Sequence, residues 1–190
     1  MRSPHHVDEL RKHIRAGWQP EFVFFLSPEP AWEGTLGSEC LSQWYPSPME
    51  VDGVRFPTAE HYMMWRKARL FGDDEISKRL LANDSPAIAK QLGREVRNFN
   101  AEIWTQHRVE VVLRGSIAKF QQNARLATYL LGTEDSVLAE ASPVDYIWGI
   151  GFEAADAYAK DPLVWKGLNL LGFVLMRARA HLFASGVPTA

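Results

Sequence analysis

From Pro57 onward the chain is punctuated like a series of helices. Thr58, Asp73, Ser85 and Asn100 each precede an apolar-periodic stretch. Each carries a side-chain oxygen able to accept from a first-turn backbone N–H. Pro86 follows Ser85 at the first helical position, where a missing N–H is harmless. Gly72, Gly93 and Gly132 stand where the periodicity stops, which marks them as helix terminators. The spacing predicts helices over 58–71, 73–82, 86–93, 100–121 and 123–131, and a last apolar helix over 168–183.

Strand signals are few. Glu21 to Leu26 is a compact aromatic and β-branched run. Met49-Glu50-Val51 and Val54-Arg55-Phe56 flank Asp52-Gly53, the pattern of a two-residue hairpin turn. Val137 to Ala139 reads as one more brief strand. Residues 4–16 suggest a short helix through Val7, Leu10 and Ile14, and Ser27 to Gly37 is a loop rich in Pro and Gly. The predicted fold class is therefore α+β and mainly α-helical, one domain with a small β-hairpin or sheet. A chain of 190 residues, 46% apolar and 23% charged, buries enough surface to need no disulfide or structural metal.

Composition also excludes functions. A net charge of −2 argues against a protein devoted to gripping long nucleic acid. The single cysteine, Cys40, has no internal disulfide partner and fits a reducing compartment. No apolar run is long enough to span a membrane, and Met1 to Leu10 lacks the apolar stretch of a secretory leader. A cytoplasmic location is expected. None of the six histidines has metal-ligand spacing, so no metal site is predicted, and no cofactor is expected. Gly149-x-Gly151-x-x-Ala154 matches a dinucleotide fingerprint in form only, because no strand–helix–strand unit surrounds it.

Two stretches gather chemistry. Glu60, Met64 and Lys67 fall on one helical face, with His61 and Trp65 on the neighbouring stripe. A solvated surface pair is the plain reading of Glu60 and Lys67, and a pocket the functional one. Asp145-Tyr146-Ile147-Trp148-Gly149-Ile150-Gly151 places a carboxylate, two aromatics and two glycines in one loop, with Glu140 close before it. This is either a tight structural turn or a place where a ligand approaches the backbone. Trp104, Lys119 and Phe120 lie on the long helix, where a lone Trp is more often core than stacking platform. Of the scattered arginines, including Arg66, Arg94, Arg97 and Arg108, one or two are suited to hold a phosphate.

These pieces, taken in order, resemble the NADAR domain family, also called YbiA-like. The resemblance is carried by Leu41-Ser42-Gln43-Trp44-Tyr45-Pro46-Ser47-Pro48, Thr58-Ala59-Glu60-His61-Tyr62-Met63, Lys67-Ala68-Arg69, Leu92-Gly93-Arg94, Ala118-Lys119-Phe120, Leu138-Ala139-Glu140-Ala141-Ser142-Pro143, Trp148-Gly149-Ile150-Gly151 and Leu175-Met176-Arg179. It covers residues 22–184 as the domain, with 1–21 an N-terminal extension and 185–190 a tail. The stretch Ser27 to Glu39 departs from the family pattern as an insertion.

The resemblance implies a mostly helical α+β domain that hydrolyses N-glycosidic bonds of ribosyl compounds. Such substrates are ADP-ribosylated guanine bases or phosphoribosylamino-pyrimidine intermediates of riboflavin biosynthesis. Matched residue by residue, it makes Glu60, Asp145 and Lys67 the expected catalytic groups. Ser42, Trp44, His61, Trp104, Lys119, Glu140, Trp148 and Gly149 are expected to bind substrate. A carboxylate beside the sugar ring stabilises the cation that develops as the C–N bond breaks, and a second carboxylate directs water or moves protons. Lys67 could instead form a Schiff base with an opened ribose. The expected partner is a nucleotide-type small molecule, free or as ADP-ribosylated nucleic acid, and no membrane. The alternative is a module that binds ADP-ribose or an NAD derivative without catalysis.

Overall fold

The computed structural model describes residues 4–30 and 34–186. In chain order the elements are α1 (Val7–Arg15), β1 (Phe22–Phe25), a 3-10 turn (Ser38–Leu41), β2 (Met49–Val51), β3 (Val54–Phe56), α2 (Ala59–Leu70), α3 (Asp74–Leu81), α4 (Pro86–Arg94), α5 (Ala101–Gln121), α6 (Ala124–Gly132), β4 (Val137–Glu140) and α7 (Leu170–Ala184). The fold is α+β and mainly helical, as the sequence predicts. The insertion residues 31–33 lie outside the described residues.

The caps act as their residue types dictate. Side-chain oxygens of Thr58, Asp73, Ser85 and Asn100 accept from the backbone N–H of His61, Ile76, Ile88 and Ile103, each three residues on. Gly72 closes α2 at φ 69°. Gly93 departs from expectation: it lies inside α4 rather than ending it. A Cβ there would stand 1.9 Å from the Met64 Sδ, so the glycine admits α2 against α4. The last helix starts two residues later than predicted, because Asn169 before it is left-handed at φ 51°.

Strands β2 and β3 form the expected antiparallel hairpin, Met49 opposite Phe56 and Val51 opposite Val54. Asp52 and Gly53 both have positive φ, 54° and 74°, the conformation that a two-residue turn between twisted strands needs. The other sheet pairs β1 with β4 in parallel, Phe22 beside Val137 and Phe25 beside Glu140. A parallel pair cannot close locally, and here all of α2–α6 lies between the two strands.

The main core joins β1, β4, α5 and α7. Helix α7 is buried nearly all round, from Leu171 through Val174 to Leu182, which explains its uniformly apolar sequence. Helix α1, in the expected N-terminal extension, sits on the same core through Val7 and Leu10. Arg11 ties it down by donating to the carbonyls of Pro162 and Trp165. A second cluster packs α2, α3 and α4 through Ala68, Ile76, Leu80, Ala89 and Leu92. Helix α2 is shared, since Phe56, Ala59 and Tyr62 build a third cluster with the hairpin. Its first turn is thereby held between the hairpin and α5, while Met64, Lys67 and Ala68 further along meet α4. No helix among the described residues is long and apolar enough to cross a membrane.

Candidate active site

The first turn of α2 faces a cavity of about 850 Å³. Among the described residues its walls come from residues 26–28 after β1, residues 42–44, α2, α4, Val112 of α5, the stretch from the end of β4 through Trp148, and Leu171 of α7. Volumes of this size suit a small-molecule ligand. Ser27 and Pro28, at the start of the insertion, are part of the wall.

Glu60 is fixed by its own backbone. The Thr58 cap holds the helix start, and the Glu60 N–H donates to the carbonyl of Gln43 at 3.0 Å. The side chain is only 4% exposed, and its Oε1 has no hydrogen-bond partner. Burial pushes the carboxyl up to about 7, because the charged form loses hydration. Lys90 and Arg94 pull it back through their charges and the Trp44 side chain through a hydrogen bond, while Asp145 adds repulsion. The surface-pair reading of Glu60 is thereby excluded.

Glu140 ends β4 and lines the same cavity. Its Oε2 is also buried and unpartnered. Burial raises this carboxyl to about 8, with repulsion from Asp145 and Glu60 adding to it and Lys90 opposing. Two coupled carboxyl groups poised near neutrality are the usual equipment of acid–base chemistry.

Asp145 lines the cavity from the loop, half-buried. Its Oδ1 accepts from the N–H of Ile147 at 2.9 Å and of Trp148 at 2.8 Å. Its own N–H donates to the Ser142 hydroxyl. The loop is a tight structural turn, and Asp145 and Trp148 of it line the cavity.

Lys67 also lines the cavity, half-buried. Its Nζ donates to the Gly93 carbonyl at 2.6 Å and lies 4.1 Å from the centre of the Phe99 ring. Burial lowers its pKa. Ser42, Trp44 and Trp148 complete the predicted residues that reach the cavity. The Ser42 Oγ accepts from the Trp44 N–H at 3.3 Å, and Lys90 stands 5.7 Å from the centre of the Trp44 ring.

Four predicted binding residues are placed elsewhere. His61 is fully buried one position round the helix from Glu60, its ring nitrogens bonded to Thr58 Oγ1 at 2.8 Å and Asn83 Oδ1 at 3.3 Å. Trp104 packs half-buried against the main core, as periodicity alone suggested. Lys119 is inaccessible and donates to the Ser42 carbonyl at 2.7 Å, so it supports the cavity wall from behind. Gly149 is required by crowding, since a Cβ there would lie 2.9 Å from the carbonyl oxygens of Asp145 and Glu140.

Sequence reasoning missed Gln43, Lys90 and Ser142 as wall residues, and did not single out Arg94 among the arginines. Lys90 and Arg94 are four apart on α4, a spacing that signals a shared face. Nothing local says that this face looks at Glu60. Gln43 carries a buried Nε2 without a partner, a donor beside Glu60 that a ligand oxygen would satisfy. Met63, Met64, Val112, Leu171 and Trp148 give the cavity an apolar floor. Among the described residues no group of three His, Cys, Asp or Glu is disposed to hold a metal ion. Cys40 is buried, and burial pushes its thiol up to about 12, which removes it as a nucleophile.

Residues 31–183 match the NADAR domain. The chain is 41% identical over 164 residues to an N-glycosidase of Acanthamoeba polyphaga mimivirus, covering 84% of this chain and 95% of that one. It is 32% identical over 135 residues to the N-glycosidase YbiA of Escherichia coli, covering 71% and 76%. A riboflavin biosynthesis protein of Vibrio vulnificus is 34% identical over 169 residues, which are 89% of this chain and 41% of that protein. The NMR structure of Escherichia coli YbiA superposes with a TM-score of 0.69 at 26% identity, covering 91% of both chains.

Proposed function

The chain belongs to the NADAR domain family, and from that premise we propose that it is an N-glycosidase hydrolysing the C–N bond between a ribose and a base or amine. The substrate class is an ADP-ribosyl or phosphoribosyl compound. The observation that carries this reading is Glu60: a buried carboxylate with an unpartnered oxygen, facing a nucleotide-sized cavity. Relatives named as N-glycosidases support the same reaction class.

Bond breaking leaves positive charge on the sugar ring. The ionised Glu60 beside that ring stabilises the charge and draws a proton from the attacking water. Lys90 and Arg94 supply cationic donors at the cavity wall, which suits phosphate oxygens. Trp44 and Trp148 offer aromatic faces to a base. In this reading Asp145 and Lys67 remain part of the machinery, Asp145 shaping the loop and Lys67 presenting an amine of lowered pKa. Lys119 and Asn169 act from behind the wall. The protein works in the cytoplasm, consistent with its single buried thiol.

The deciding experiment is incubation with ADP-ribosylated guanine DNA and, separately, with phosphoribosylamino-pyrimidines, followed by chromatography. Release of free base or amine with a ribosyl product is expected from one of them. Tight binding of ADP-ribose without turnover of either would favour the non-catalytic module.

A further inference from the structure

Among the described residues three carboxylates line the cavity, and the structure makes them unequal. Asp145 spends Oδ1 on two backbone N–H groups of its own turn. Glu60 and Glu140 each keep one buried carboxylate oxygen with no partner. They enter from different elements, Glu60 from the start of α2 and Glu140 from the end of β4.

The Glu140 backbone is clamped on both sides. Its N–H donates to Asn169 Oδ1 at 3.1 Å, while the Asn169 Nδ2 donates to the Leu138 carbonyl at 2.9 Å. Its carbonyl accepts from the N–H of Ile150 and of Ser142, both at 2.9 Å. Asn169 is fully buried and left-handed to make this bridge. A backbone held so firmly leaves the carboxyl as the one group at this position free to act on a ligand. Gln43 lines the same cavity with its own unpartnered buried Nε2, a further polar group left for a ligand.

Resting on the N-glycosidase reading, we propose that Glu140 is the general acid of the reaction, giving its carboxyl proton to the departing base. The electron pair of the breaking C–N bond goes to the base nitrogen, which the Glu140 proton neutralises. The oxygen of water forms the new bond to the ribose carbon, and the proton it sheds goes to Glu60. That proton then returns to Glu140 through solvent. The sum is one water consumed, its hydroxyl on the sugar and its remaining hydrogen on the base.

The charged surroundings agree with this division. Glu140 faces Glu60 of α2, Asp145 of the loop and Lys90 of α4. Glu60 faces those two together with Arg94 of α4, and Arg108 of α5 faces Asp145. Around Glu140 two carboxylates stand against one amine, which favours its protonated form, whereas around Glu60 the two cations Lys90 and Arg94 balance Asp145 and Glu140.

The test uses leaving groups. Glu140→Gln and Glu60→Gln are assayed on the natural substrate that the wild type cleaves and on para-nitrophenyl riboside phosphate, whose leaving group departs without a proton. Glu140→Gln is expected to slow base release at least ~100-fold and para-nitrophenol release less than ~5-fold. Glu60→Gln is expected to slow both. Equal slowing of both substrates by Glu140→Gln, or normal base release, overturns the proposal. Should that variant fail to fold, wild-type pH profiles decide. An alkaline limb present for the natural substrate and absent for the nitrophenyl one supports it, and a shared limb overturns it. Full activity of a folded Glu60→Gln variant is a different failure, that of the site reading itself. A wild type inactive on every ribosyl compound refutes the N-glycosidase reading, and this inference with it.

Discussion

Gly93 and Met64 meet with no room between them. A Cβ on residue 93 would stand 1.9 Å from the Met64 Sδ and 2.8 Å from its Cγ. Lys67 donates to the Gly93 carbonyl, and this contact, with Ala68 against Ala89 and Leu92, fixes how α4, with Lys90 and Arg94, faces α2, with Glu60.

Gly93→Ala is therefore expected to destabilise the protein by about 1–3 kcal/mol through overpacking. Shortening the neighbour should relieve it: in a double-mutant cycle, Gly93→Ala with Met64→Ala should lose less than the sum of the single changes. Denaturant melts of the four proteins measure this. Strict additivity would show that the two side chains do not share the space.

Lys119 gives a pH signature. Burial lowers its pKa to about 7, whereas in the unfolded chain the amine keeps its proton to about pH 10. Between these values the unfolded state binds the extra proton, so folding gains stability as pH rises. The wild type's stability relative to Lys119→Met should grow between about pH 7 and pH 10, as read from paired melts. A flat difference would mean that the buried amine titrates normally.

Glu60 shows the opposite slope. Its carboxyl is raised to about 7 in the fold and ionises near 4.3 when unfolded. Its stabilising contribution is complete at acid pH and is lost as pH rises through the folded value. Glu60→Gln should therefore be more stable than the wild type at pH ~8 and gain nothing at pH ~4. Hydrolysis should fall at least ~100-fold in the same protein. Wild-type turnover with an unchanged melt would remove Glu60 from the chemistry.

Trp148 should prove both wall and anchor. It lines the cavity, yet it also packs half-buried against the main core. Trp148→Ala is expected to weaken ADP-ribose binding about 5- to 150-fold, the scale of one lost base stack. A stability loss of about 2 kcal/mol should accompany it, less than for a fully buried Trp. Calorimetric titration and a denaturant melt separate the two effects, and unchanged affinity in the folded variant would leave Trp148 purely structural.

What the sequence determined by itself is local. Thr58, Asp73, Ser85 and Asn100 cap helices because a short side-chain oxygen satisfies a first-turn N–H wherever the chain goes next. Asp52-Gly53 makes its turn because the required positive φ is available to those residues. Family motifs brought Glu60, Asp145, Lys67, Ser42, Trp44, Glu140 and Trp148 to attention, and the fold gathers all seven around one cavity. Tertiary structure alone decided the rest. Whether Gly93 ends a helix or admits Met64 depends on a helix two elements earlier in the chain, and whether Lys119 touches substrate or holds Ser42 depends on a carbonyl 77 positions away. The parallel pairing of β1 with β4 brings Glu140 to the cavity that Glu60 faces, although 80 residues separate them in the chain. Burial and charge then set their proton affinities, and these are properties of neighbours in space, which periodicity along the chain does not encode.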